Sequence, residues 1–130
     1  MRYITLAEAF VLAEAVTGID AATLRRISRT NLLDSALHAP QASFGDQDAY
    51  PDIYSKAAVL CARIASNHPL LDGNKRLAWE SMRFFCDING IELEFEDSNA
   101  IELMLRVATG SVPIEELTDW IRNHATKVVG

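Results

Sequence analysis

The chain has 130 residues with a formal net charge of -6; 49% of them are hydrophobic, 23% charged, and only four are proline and six glycine. That is an ordinary globular profile, long enough for one domain over residues 1–130 with one core, and it excludes a disordered chain. A general nucleic-acid binder carries a basic face, so direct DNA or RNA binding is disfavoured, while a local basic pocket for a small anion stays open.

The first elements read as helices. Thr5 and Glu8 have capping-box spacing ahead of an apolar stripe of Leu6, Ala9, Phe10, Ala13 and Val16, and Gly18 is a natural stop. Asp20 is placed to cap a second, short helix through about Ile27, and Asn31 to cap a third that Pro40 closes. From Pro40 to Pro51 no period is sustained, which predicts a loop or short hairpin, with Phe44 and Tyr50 expected to anchor it rather than meet a partner. Asp52 to Asn67 reads as a long, alanine-rich central helix, and Asn74 to Asn89 as the next.

Ile91 to Phe95 alternates as a short strand or extended lid. Asp97 or Ser98 is expected to cap a helix ending near Thr109 and Gly110, and Pro113 suits the first turn of a last helix through His124. The start lacks a secretory pattern and no segment is long and apolar enough to span a membrane, which makes the cytoplasm the expected compartment. Cys61 and Cys86 lie in apolar helical patterns and read as buried thiols. Metal-ligand spacings such as CxxC or HExxH are absent, so a structural zinc site is not expected. The fold class is all-α, with one or two minor extended pieces.

The chemistry concentrates in nine residues, His68 to Arg76. A helix that starts near Gly73 or Asn74 presents unpaired N–H groups and the positive end of its dipole, which favours an anion there. Gly73 lets the backbone turn tightly and a ligand come close. Lys75 is a mobile point charge and Arg76 a rigid fork for phosphate oxygens. Asn74 can cap, donate to a phosphate oxygen or accept from a metal-bound water. Asp72 beside a phosphate costs like-charge repulsion that Mg²⁺ removes; helix capping by Asp72 is an equal reading. His68, with a reference pKa near neutrality, can act as a general base, and the neighbouring charges raise that reading above a packing role. His38 and His124 have no such company and read as structural or surface residues. The imidazole and both cations are expected to converge over the amides that open one helix. The pattern suits phosphoryl or nucleotidyl transfer.

These nine residues, His-Pro-Leu-Leu-Asp-Gly-Asn-Lys-Arg, resemble the signature of the Fic/Doc superfamily, and specifically the Doc toxins. Leu32 to Leu37, Pro40 to Phe44, Lys56 to Ala58, Asn89-Gly90 and Ala108 to Gly110 also resemble Doc chains. The resemblance implies a compact helical bundle with the motif at a helix N-terminus. It implies His68 as the base, Asp72 as the Mg²⁺ ligand, Asn74, Lys75 and Arg76 on the nucleotide phosphates, Gly73 shaping the anion nest, and the segment from Pro40 to Tyr50 as a flap. Lys75 stands where typical Fic enzymes carry a second glycine and transfer AMP. In Doc chains this implies the reverse nucleotide orientation and γ-phosphate transfer from ATP, onto a threonine of elongation factor Tu, with neutralisation by a small Phd-like antitoxin bound in a groove beside the site. Two departures stand out: Leu70 replaces the usual phenylalanine, with a shifted but intact turn expected, and Ser28 to Asn31 lacks the Arg-Asp pair of relatives. AMP or other nucleotidyl transfer onto a protein, a catalytically inactive antitoxin-binding corepressor and a plain helical interaction domain are the competing readings.

Overall fold

The computed structural model describes residues 1–127, so the last three residues of the expected 1–130 domain lie outside the described residues. Seven α-helices, one 3₁₀ turn and two small antiparallel ladders follow in order: α1 (Leu6–Thr17), α2 (Ala21–Ile27), α3 (Thr30–His38), the 3₁₀ turn (Ala39–Gln41), β1 (Ser43–Phe44), β2 (Gln47–Asp48), α4 (Ile53–Asn67), α5 (Asn74–Ile88), β3 (Ile91–Leu93), α6 (Asp97–Ala108), α7 (Ile114–His124) and β4 (Ala125–Lys127). This is the expected all-α helical bundle with a small β flap.

Local chemistry sets the first boundaries where the sequence placed them. Thr5 Oγ1 accepts from Glu8 N–H and the Glu8 carboxylate from Thr5 N–H, a complete capping box. Gly18 closes α1 in the left-handed region at φ 75°. Asp20 caps α2 through the Thr23 N–H, and Asp52 caps α4 through the Ser55 N–H. α3 departs from expectation. It begins at Thr30, before Asn31, and its cap residue Arg29 offers no side-chain bond. The reason is tertiary: Arg29 N–H donates to the Pro69 carbonyl at 2.8 Å, so the chain is pinned there and Leu32 and Leu33 then bond back to the Arg29 carbonyl. The sixth helix begins at Asp97 on an uncapped Glu96, and Pro113 precedes α7 rather than entering it.

The core is one apolar cluster around α4, which packs on α5, α7, α3 and the 3₁₀ turn. Ala57, Ala58 and Ala65 are buried, letting neighbouring helices come near its axis. Phe10, Leu33, Leu60, Ile64, Leu77, Met82, Phe85, Leu117 and Ile121 fill the interior; each such side chain contributes about 1.5–3 kcal/mol through burial. Both cysteines are buried and free, and burial pushes each thiol up to about 12, which keeps them unreactive near neutral pH. Among the described residues no helix is long and apolar enough to cross a membrane.

β1 and β2 form the hairpin expected between Pro40 and Pro51, with Ser43 opposite Asp48 and Gly45 leading its two-residue turn at φ 62°. The expectation that Phe44 anchors this segment is corrected. Its ring is 80% exposed, while Tyr50 is half-buried. Anchoring falls instead to Lys56, buried in the first turns of α4, whose ammonium donates to the Pro40 carbonyl at 3.0 Å and meets Asp48 Oδ2 at 3.4 Å. Replacing Lys56 with alanine should lower unfolding stability by about 2 kcal/mol, because the buried Pro40 carbonyl loses its donor. A urea midpoint matching the parent chain would show that another group holds the hairpin. β3 forms where alternation placed an extended piece, and pairs antiparallel with β4, Ile91 opposite Lys127.

Candidate active site

The turn from α4 to α5 carries the nine-residue cluster. His68 ends α4 with φ 49°, the one non-glycine residue of positive φ among those described. Such a conformation costs about 1–3 kcal/mol and persists only where its surroundings hold it. Pro69 and Leu70 are buried behind it, Leu70 at 2% exposure. The smaller side chain at this position is thus seated in the core, and the turn is intact.

Asn74 holds that turn. Its Oδ1 accepts from Leu70 N–H at 2.8 Å and its Nδ2 donates to the Leu70 carbonyl at 2.9 Å. One Nδ2 hydrogen and one Oδ1 lone pair are thereby engaged by the turn, and the second Nδ2 hydrogen has no protein partner among the described residues. Gly73 precedes α5 at φ 90°, a conformation that a side chain would strain. No side chain caps α5, and the first bond into it is Leu77 N–H to the Gly73 carbonyl at 2.9 Å. The N–H groups of Asn74, Lys75 and Arg76 thus have no partner within the helix, and the helix dipole adds positive potential at the same place.

Asp72 lies exposed beside this end, with Oδ1 accepting from Gly73 N–H at 2.8 Å. Its other oxygen has no protein partner among the described residues. Arg76 is exposed and donates through Nη1 to the Val16 carbonyl at 3.1 Å, at the C-terminal turn of α1. Asp72, Gly73 and Arg76 therefore share one cleft, walled by Val16 and Thr17. Ile19, Ile27 and Leu71 give that cleft an apolar rim. Lys75 and Arg76 share a second cleft, between α5 and α6, with Trp79, Ile101, Met104 and Leu105. His68 is exposed and lines neither, so the imidazole and the two cations do not meet in one pocket. The walls from α1 and α2 had no signal in the sequence: Thr17 and Ile19 read only as a helix end.

The histidines outside the cluster have other partners. His38 Nδ1 lies 2.9 Å from the Asp34 carbonyl, and His124 Nδ1 2.7 Å from that of Trp120, on whose ring it stacks. Arg83 pairs with Glu80 at 3.5 Å and covers the Phe95 ring.

An open helix start, a glycine that admits a ligand, a carboxylate and two cations make a site for a phosphorylated ligand. A model of the Fic/DOC family matches residues 4–86, from the start of the core through the cluster and most of α5. The chain belongs to the Fic/Doc family. It is also similar to the protein named Toxin Doc from Mycolicibacterium smegmatis, 43% identical over 88 residues, which is 66% of this chain and 68% of the relative. Fic/Doc enzymes transfer nucleotidyl or phosphoryl groups from nucleotides to protein hydroxyls. The residues present in this Fic/Doc chain fit such a ligand: a phosphate can take the uncapped amides of α5 and the free donors of Arg76. Among the described residues no group of three or more His, Cys, Asp or Glu gathers. A divalent cation here would therefore depend on the free oxygen of Asp72 and on phosphate oxygens, the pattern that suits Mg²⁺.

Proposed function

We propose that this chain is a Doc-like toxin kinase of the cytoplasm that moves the γ-phosphate of ATP, with Mg²⁺, to a serine or threonine hydroxyl of a protein, a threonine of elongation factor Tu, and so blocks translation. The observation that carries the kinase reading is Lys75 at the exposed start of α5, beside Arg76. A glycine there would leave room for the terminal phosphates of a nucleotide oriented for AMP transfer; a lysine occupies that room and adds charge. The relative named as a toxin supports the biological setting.

The roles follow from position. The His68 ring, free of hydrogen bonds among the described residues and exposed at the end of α4, takes the proton of the target hydroxyl. The hydroxyl oxygen bonds to the γ-phosphorus, and the bond from that phosphorus to the bridging oxygen breaks, leaving its electron pair on ADP. Arg76, Lys75 and the first amides of α5 hold the phosphates, Gly73 keeps the approach open and Asp72 would hold Mg²⁺, which would supply charge neutralisation for the phosphates.

The second cleft suits the antitoxin. Ile101 and Leu105 are 62% and 53% exposed, and Lys75 and Arg76 stand beside them. A Phd-like helix with an apolar face and acidic side chains fits such a groove beside the site. The deciding experiment incubates the chain with elongation factor Tu, Mg²⁺ and ATP labelled at either the γ or the α position. Protein-bound γ label with the mass of one phosphoryl group is expected. Retained α label with the mass of a nucleotide would establish AMP transfer instead, and no label of either kind would favour a corepressor that only binds its antitoxin.

A further inference from the structure

The C-terminal turn of α1 touches the cluster twice. The Val16 carbonyl accepts from Arg76 Nη1 at 3.1 Å. A Cβ placed on Gly73 would lie 3.3 Å from Thr17 Cγ2, so this methyl group borders the space beside the glycine that opens α5. The turn itself is closed by Thr17: its hydroxyl donates to the Ala13 carbonyl at 2.7 Å and accepts from Ile19 N–H at 3.1 Å. α1 has no basic residue in its last turn. Arg76 supplies that charge from another helix, at the negative end of the α1 dipole. One guanidinium N–H is spent on Val16, and the planar fork is thereby oriented while its other donors stay available.

We propose that Thr17 is a positioning residue for the phosphate site: it braces the Gly73 turn through its methyl group and holds the Val16 carbonyl where it orients Arg76. This rests on reading the α5 end as a phosphate site. In this role the effect of Thr17 passes through Gly73 and Arg76. With the turn braced, the fork meets an anion with its orientation already set; without it, that orientation must be acquired on binding.

Calorimetric titration of the whole chain with ATP and Mg²⁺ tests this. Thr17→Ala should weaken ATP binding about ten-fold, and Thr17→Val, which keeps the methyl group but loses the hydroxyl that closes the turn, should fall between Thr17→Ala and the parent. In an Arg76→Ala background the alanine at position 17 should weaken binding much less than in the parent, a non-additivity that general destabilisation would not produce. Amide exchange at Leu77, whose N–H bonds to the Gly73 carbonyl, should also quicken in Thr17→Ala. ATP binding by Thr17→Ala equal to the parent, or losses that simply add, overturn the positioning role alone. A parent chain that binds no ATP brings down the phosphate reading and this role with it.

Discussion

Replacing His68 with alanine should slow phosphoryl transfer by about 10²–10⁴-fold, the span set by loss of a general base, while the helices stay folded. The ring is exposed and without a protein partner among the described residues, so nothing in the core depends on it. Its backbone, however, sits at φ 49°. Alanine keeps that strain, whereas glycine relieves it, so His68→Gly should unfold at higher urea than His68→Ala, by about 1 kcal/mol. The pair separates chemistry from strain: both variants lose transfer, and only one gains stability. Full transfer by either variant would move the proton acceptor elsewhere. Equal stability of the two would mean that the end of α4 relaxes out of the left-handed region once the ring is gone.

A second large effect is expected at Asn74. Alanine there leaves the Leu70 N–H and carbonyl without the amide that pairs both, at 2.8 and 2.9 Å. Each abandoned group in this part-buried turn costs about 1–3 kcal/mol, so the loss should approach the sum of two. Transfer should fall with it, and saturating ATP should not restore it, because the damage is to the turn that joins His68 to the α5 amides. Asn74→Asp keeps an acceptor for the Leu70 N–H but sets a carboxylate against the Leu70 carbonyl, and should be nearly as harmful. Circular dichroism melts combined with transfer rates distinguish this from a phosphate-contact role. A variant of normal stability with a raised KM for ATP would return the side chain to the ligand.

The two cases mark where reading residues in order succeeds. The Thr5 and Glu8 box, Gly18 and Asp20 work within about four residues, and each acts as its spacing says. The cluster was legible for the same reason: an uncapped helix start with Gly73 ahead of it and two cations behind it is a local arrangement. Asn31 failed as a cap because Arg29 bonds to Pro69, forty residues away in sequence. Phe44 failed as an anchor because a buried lysine in the next helix already ties the hairpin. That the Asn74 amide also pairs with Leu70 was not legible, since a sequence does not say which partner a donor and acceptor will find.

Sequence by itself determined the starts of α1, α2 and α5, the central alanine-rich helix, the left-handed Gly18 and the nine-residue cluster at the opening of α5, because each depends on hydrogen bonds and apolar spacing over one or two turns. Tertiary structure alone decided that α1 walls the site, that Arg76 is held by the Val16 carbonyl, that Lys75 faces a groove shared with α6, and that His68 lies outside both clefts. Those features come from how helices distant in the chain pack around α4, and packing joins surfaces whose partners carry no mark in the local order of residues.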